Sequence, residues 1–197
     1  MARPSGTTRA KKPILKKEFK RLLNALNHNK SIKSTTKTKL KSAFILLYLT
    51  GCRVSEIISF RTTDLEEIIL NNEHSLSNST KTSSARLITF DSDGVQASMI
   101  KAIIPDTEIY MFHKNNSTQA MSVSGLTYLM NRFIHKILGK LYSTHSFRAG
   151  YITTAHQKGF SLEHIRQDIG HESINTTALY ATVTNKEIAE GKNLIDW

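Results

Sequence analysis

The segment from residue 38 to residue 49 constrains the fold more than any other stretch: Leu40, Ala43, Phe44, Leu46 and Leu47 make a helix that is apolar on most of its sides. Such a helix is stable only when neighbours surround it, so the other elements must be built around this one. Its continuous apolar run, residues 43–49, is too short to cross a bilayer, and Gly51 follows as cap or breaker. Periodicity identifies the neighbours. From Lys16 onward, Phe19, Leu22, Leu23 and Leu26 repeat at i, i+3, i+4, i+7, with Lys17, Lys20 and Arg21 on the opposite face. Between Leu65 and Phe90, short runs of Ile and Leu alternate with Asn-Asn and Ser/Thr/Lys clusters, which predicts two or three short antiparallel strands, residues 86–90 the clearest. Helical spacing returns over 95–104, ending before Pro105, and over 122–138, with Gly139 as its stop. A helix opening at Thr144 or His145 and ending at Gly159 comes next, then one over 162–169 with Ser161 as N-cap and Gly170 as its close, then one over 174–183. The predicted class is α+β, mainly α-helical with a small antiparallel sheet, in one domain spanning residues 16–183.

Charge divides the chain differently. Of 27 Lys/Arg, 13 lie in residues 1–41 against one acid, Glu18, while the remainder of the chain is nearly balanced; the net charge of +11 is therefore a local property. Residues 1–12 mix Pro, Gly, Thr and cations without hydrophobic periodicity, and residues 1–15 are predicted to be a basic flexible arm. A cationic segment without an aromatic amphipathic face points to nucleic acid as partner, not a membrane, with Arg3, Arg9, Lys11, Lys12, Lys16, Lys17, Lys20 and Arg21 as the candidates for binding it. Residues 184–197 form a tail in which Ile188, Leu194, Ile195 and Trp197 need a surface to dock on. Cys52 is the only cysteine, which excludes an intramolecular disulfide and argues against a cysteine metal site. The N-terminus has no apolar stretch to serve as a signal peptide, so a soluble, cytoplasmic protein is expected.

No Gly-rich phosphate loop, Gly-x-Ser-x-Gly elbow or His-Glu-x-x-His pair occurs, which removes support for nucleotide hydrolysis and zinc proteolysis. What remains is a set of cationic and proton-carrying residues at points of sharp punctuation: Arg53 after Gly51, His145 and Arg148 at a helix start, His171 after Gly170, and Tyr180. Singly, each has an ordinary role as phosphate grip, cap or core side chain. Together they fit phosphodiester chemistry. Two guanidinium groups can stabilise charge on non-bridging oxygens without a metal ion, and a Tyr phenol, with its ordinary pKa near 10, needs nearby positive charge or a base to attack at neutral pH.

Thr50-Gly51-Cys52-Arg53-Val54-Ser55-Glu56, then His145-Ser146-Phe147-Arg148 about ninety residues on, then Gly170-His171 and Tyr180 nine residues after His171, resembles the tyrosine recombinase (phage integrase) family in order and spacing. The resemblance implies that fold's catalytic domain and a site-specific recombinase that cleaves and rejoins DNA through a covalent 3′-phosphotyrosyl intermediate. Tyr180 would be the nucleophile, Arg53 and Arg148 the charge stabilisers, His145 the proton acceptor and His171 a hydrogen-bond donor to a phosphoryl oxygen. Lys81, by position in a hairpin, would be the general acid, although Thr82-Ser83-Ser84 stand where that hairpin usually has glycines. Glu56 would orient the cations from behind. It also implies no metal and no cofactor, double-stranded DNA with specific recombination sites, a homo-tetramer on that DNA, and room for an accessory DNA-bending protein. Family members usually carry a separate N-terminal clamping domain, whereas a basic arm and one helix precede the catalytic body here, the organisation of a minimal recombinase or of part of a larger one. A type IB topoisomerase-like relaxing enzyme and a non-cleaving DNA-binding protein on the same fold are the alternatives. The His-x-x-Arg pair and the small size favour recombinase over the first, and the presence of every catalytic residue type opposes the second.

Overall fold

The computed structural model describes residues 11–76, 86–89, 94–105, 110–114, 117–171 and 174–178. Its elements are α1 (Lys16–His28), α2 (Ser34–Thr50), α3 (Val54–Ile57), α4 (Thr62–Asn71), β1 (Glu73–Leu76), β2 (Arg86–Thr89), α5 (Val95–Lys101), α6 (Val123–Leu138), α7 (His145–Gln157), α8 (Leu162–Ile169) and α9 (Ile174–Ala178).

The helix without a polar face is the hub. α2 begins four residues earlier than its apolar pattern does and packs against α1, α3, α5 and α7. Phe44 sits at the centre of the core, its ring centroid 5.9 Å from that of Phe133 on α6 and 5.6 Å from that of Phe147 on α7. Offset aromatic packing at these separations ties three helices to one side chain. α1 lies against α2 through its apolar stripe, with the Phe19 and Tyr48 rings stacked, and leaves its Lys/Arg face in solvent. Ser161 accepts a hydrogen bond from the His164 amide and caps its helix as the sequence predicts, and Ser122, expected as the first residue of its helix, caps α6 by accepting from the Gly125 amide.

Three expectations change. Leu65 to Leu70, read as strand, belongs to α4: the Asp64 carboxylate accepts from the Arg61 amide at 2.8 Å, Leu65 and Ile68 are buried one turn apart, and Asn72, at φ +62°, stops the helix. An Ile-Ile-Leu run suits a buried helix face as well as a strand, and here the cap and the core decide. The sheet among the described residues is therefore the single antiparallel pair β1–β2, with Glu73 opposite Thr89 and Leu76 opposite Arg86. α5 ends at Lys101, short of residue 104.

The third change concerns where the body begins. Ile14 is fully buried, the Ile14 amide donates to the Ser146 carbonyl at 2.9 Å, and the Lys12 amide donates to that of Leu141. Residues 12–15 thus belong to the packed body and not to the arm. Gly150 on α7 makes the seat: a Cβ there would lie 2.1 Å from the Ile14 carbonyl oxygen, so only glycine admits the chain. No helix among the described residues is long and apolar enough to cross a membrane.

Candidate active site

Three pieces of chain, distant in sequence, meet where α2 ends and α7 begins. α2 closes on Gly51 in the left-handed conformation, φ +60°, which turns the chain so that Arg53 leads into α3. The Glu56 carboxylate, buried under this turn, accepts from the Arg53 amide at 2.6 Å and from Arg53 Nη1 at 2.9 Å. One acid therefore both caps α3 and aims the guanidinium, as the Arg-x-x-Glu spacing suggested.

α7 supplies the second piece. Its start is held by Asn131 Oδ1, which accepts from the Thr144 amide, and by Ser146 Oγ, which accepts from the Ser143 amide. His145 is exposed at the rim, while Arg148, one turn further on, is buried. Arg53, His145 and Arg148 line one cavity of about 150 Å³, together with Cys52, Thr127 and Thr144. The N-terminal end of a helix adds partial positive charge to the same place, which suits an anion.

The third piece fixes Arg148. Its Nη1 donates to the Gly51 carbonyl at 2.9 Å, its Nη2 to the carbonyl of Ile169 at the end of α8, and its Nε to His171 Nε2 at 3.1 Å. These three partners orient the guanidinium. Since an arginine only donates, His171 Nε2 must be the unprotonated ring nitrogen; the proton sits on Nδ1, which lies 3.0 Å from Thr177 Oγ1 on α9. His171, expected to donate to a phosphoryl oxygen, is here an acceptor that positions Arg148. Arg166 holds the His171 segment in turn: its Nη1 donates to the His171 carbonyl while Glu163 grips its other side. That grip keeps the Glu163 carboxyl at about 2, well below its ordinary value.

The pKa of His145 is lowered from 6.5, first by partial burial against the cavity wall, then by Arg148, Arg53 and Lys11. A ring kept neutral at physiological pH is ready to accept a proton. Lys81, Tyr180, Arg3 and Arg9 lie outside the described residues, as does the tail from residue 184. Lys17, Lys20 and Arg21 line an open groove of about 540 Å³ on α1, and Lys11, Lys12 and Lys16 are exposed.

Sequence reasoning missed Thr177, Arg166 and the pairing of Tyr151 with Asp168, whose carboxylate accepts from the Tyr151 hydroxyl. None of these carries a local signal: Thr177 and Arg166 act on a histidine six and five residues away only because α8 and α9 fold back on each other.

The fold is that of the tyrosine recombinase catalytic domain. It superposes on XerA recombinase with a TM-score of 0.68 at 19% identity, covering 100% of this chain and 68% of that one. The Tn1549 transposon integrase in complex with circular-intermediate DNA gives 0.71 at 20% identity, covering 97% and 68%. The sequence pattern of the phage integrase family matches residues 12–187, and the chain belongs to that family. A Methanocaldococcus jannaschii protein named a probable integrase/recombinase is 27% identical over 180 residues, 84% of this chain and 52% of that protein. A tyrosine recombinase of Thermosipho africanus is 26% identical over 173 residues, 86% of this chain and 56% of its own. The chain thus spans about half the length of these relatives.

Proposed function

We propose that this chain is the catalytic body of a site-specific DNA recombinase that breaks and rejoins strands of duplex DNA without metal or nucleotide. The observation that supports it most is the convergence on one anion-sized cavity of Arg53, His145 and Arg148, with Arg148 oriented by the Gly51 and Ile169 carbonyls and by His171. Arg53 and Arg148 bind the non-bridging oxygens of the scissile phosphate and stabilise the charge that grows there. The Tyr180 hydroxyl oxygen attacks phosphorus, His145 takes its proton, and the bond from phosphorus to the 5′ oxygen breaks. Lys81 gives the leaving oxygen a proton, and the product is a 3′-phosphotyrosyl ester whose energy is kept for resealing. His171 acts through Arg148, and Glu56 through Arg53.

Recombination requires two duplexes, so we further propose a homo-tetramer on DNA, with the 184–197 tail docking on a neighbouring protomer through Ile188 and Trp197. Double-stranded DNA with specific sites is the substrate, and the α1 groove with the basic N-terminal segment is its electrostatic grip.

The test is incubation with nicked half-site DNA, from which the cut end diffuses away. The expected product is an SDS-resistant protein–DNA adduct, unchanged by a chelator and abolished in Tyr180→Phe, which still folds and binds DNA. Adduct at the normal level in Tyr180→Phe overturns the mechanism. DNA binding with no adduct from the unaltered protein favours the non-cleaving alternative.

A further inference from the structure

Thr144, the residue before His145 at the start of α7, uses its polar groups unequally. Its amide donates to Asn131 Oδ1 on α6 at 2.9 Å, and its carbonyl accepts from the Phe147 amide at 3.3 Å, so both backbone groups are taken up inside the fold. The hydroxyl is not. A threonine in front of a helix ordinarily folds its oxygen back onto an amide of the first turn, from an extended backbone. Thr144 instead has helical dihedrals, φ −55° and ψ −34°, and makes no such bond. Among the described residues its hydroxyl has no hydrogen-bond partner. The residue is nonetheless only 6% exposed, and it lines the cavity of Arg53, His145 and Arg148. Ser143 Oγ, one position earlier, is sealed from solvent without a partner, whereas Thr144 Oγ1 keeps an opening, and the cavity is the space that Thr144 lines.

A hydroxyl largely removed from water and left without a partner destabilises the fold, so the occupant of the cavity has to supply an acceptor. With two guanidinium groups on the same cavity, that occupant is an anion, and a phosphate oxygen is an acceptor to which a hydroxyl can donate. We propose that Thr144 is a further catalytic residue, whose hydroxyl donates a hydrogen bond to a non-bridging oxygen of the phosphate held by Arg53 and Arg148. The inference rests on the recombinase reading for the identity of that phosphate as the scissile one, and on the cavity alone for the anion. The donor is set in advance: Asn131 and the first turn of α7 fix the backbone, and a β-branched side chain has few rotamers to choose from. The bond therefore strengthens as negative charge grows on the oxygen, with no reorganisation at the moment of reaction. The hydroxyl keeps its proton throughout, and the base remains His145.

The experiment compares Thr144→Val, which keeps the shape and removes the hydroxyl, with Thr144→Ser, which keeps the hydroxyl. With the full chain saturating nicked half-site DNA, Thr144→Val is expected to slow single-turnover adduct formation about 10- to 100-fold, while Thr144→Ser stays within about 3-fold of the unaltered protein. A second substrate carries a methylphosphonate at the scissile position, where a methyl group replaces one non-bridging oxygen. On the diastereomer that lacks the oxygen facing Thr144, Thr144→Val and the unaltered protein should react at the same rate. A loss of equal size on the phosphodiester and on both diastereomers overturns the proposal, because it assigns Thr144 to the fold. Without DNA, inorganic phosphate is titrated against the NMR shift of the His145 amide, and Thr144→Val should weaken its binding about 5- to 10-fold. Coincident titrations of Thr144→Val and the unaltered protein also overturn the proposal. If Thr144→Val does not fold, Thr144→Ala takes its place in both arms. Weakened phosphate binding in the variant, with no adduct from the unaltered protein on half-site DNA, sinks the recombinase reading and leaves the hydroxyl as an anion donor.

Discussion

Arg148 and His171 look equivalent in sequence, two charged or polar side chains near helix ends, yet the structure gives them different work. Arg148 faces the cavity; His171 stands behind it and passes the position of α9, through Thr177, to the guanidinium. His145 alone of this group sits at the rim, where partial burial first, and then two arginines and a lysine, hold down its pKa. The sign of the consequence follows. The folded pKa is below 6.5, so in the unfolded chain the ring protonates first as pH falls. Its contribution to stability is intact above pH 6.5 and is lost as pH drops through the folded value. As a base, it is therefore available at every pH above that lowered value. The single-turnover cleavage rate of DNA-saturated protein should accordingly hold through pH 6.5 and fall only below it, and Arg53→Ala should move the acid limb upward while slowing the reaction. An acid limb at or above 6.5 in the unaltered protein removes His145 from the role of base.

At the scale of the element, the junction of α2 with α7 does most to make the site. Gly51 has three demands on it at once: a left-handed backbone, a carbonyl that accepts from Arg148, and the ring of Tyr151 packed so closely that a Cβ would lie 2.8 Å from it. Tyr151 cannot move away cheaply, because Asp168 holds its hydroxyl and ties α7 to α8. Gly51→Ala should cost about 1–3 kcal/mol, from the left-handed alanine and the overpacked ring together. The same change displaces the carbonyl that orients Arg148, so cleavage should fall further than the loss of folded protein explains. Urea unfolding beside single-turnover cleavage at a temperature where the variant is fully folded separates the two effects. A variant that is destabilised but cleaves normally would show the carbonyl to be dispensable.

Over the whole molecule, the boundary between body and arm lies further toward the N-terminus than charge alone suggests. The segment from residue 12 is bonded to the body and puts Ile14 in the core, so a cut after residue 10 should remove Arg3 and Arg9 and spare the fold, whereas a cut after residue 15 removes buried Ile14. Deleting residues 1–10 should leave the melting temperature unchanged and weaken DNA binding. If both arginines touch phosphates, the slope of log affinity against log salt flattens by up to about 1.8. Filter binding across a salt series measures it, and an unchanged slope assigns the arm to something other than DNA.

Arg53, His145 and Arg148, which the structure brings to one cavity, were legible because Gly-x-Arg and His-x-x-Arg mark helix ends, where local rules are strong. The same rules located α1, α6 and α8, whose caps and apolar stripes lie within single stretches of chain. α4 was misjudged because an Ile-Ile-Leu run obeys both periods, and only the Asp64 cap and burial against the body choose helix. Local sequence determined which side chains are charged and where α1, α6 and α8 lie. Tertiary structure decided who serves whom: Gly51 binds Arg148 across 97 residues and Ile14 bonds to Ser146 from the far end of the chain. Contacts at such separations depend on two surfaces fitting after the core has closed, and no pattern within either segment encodes the other.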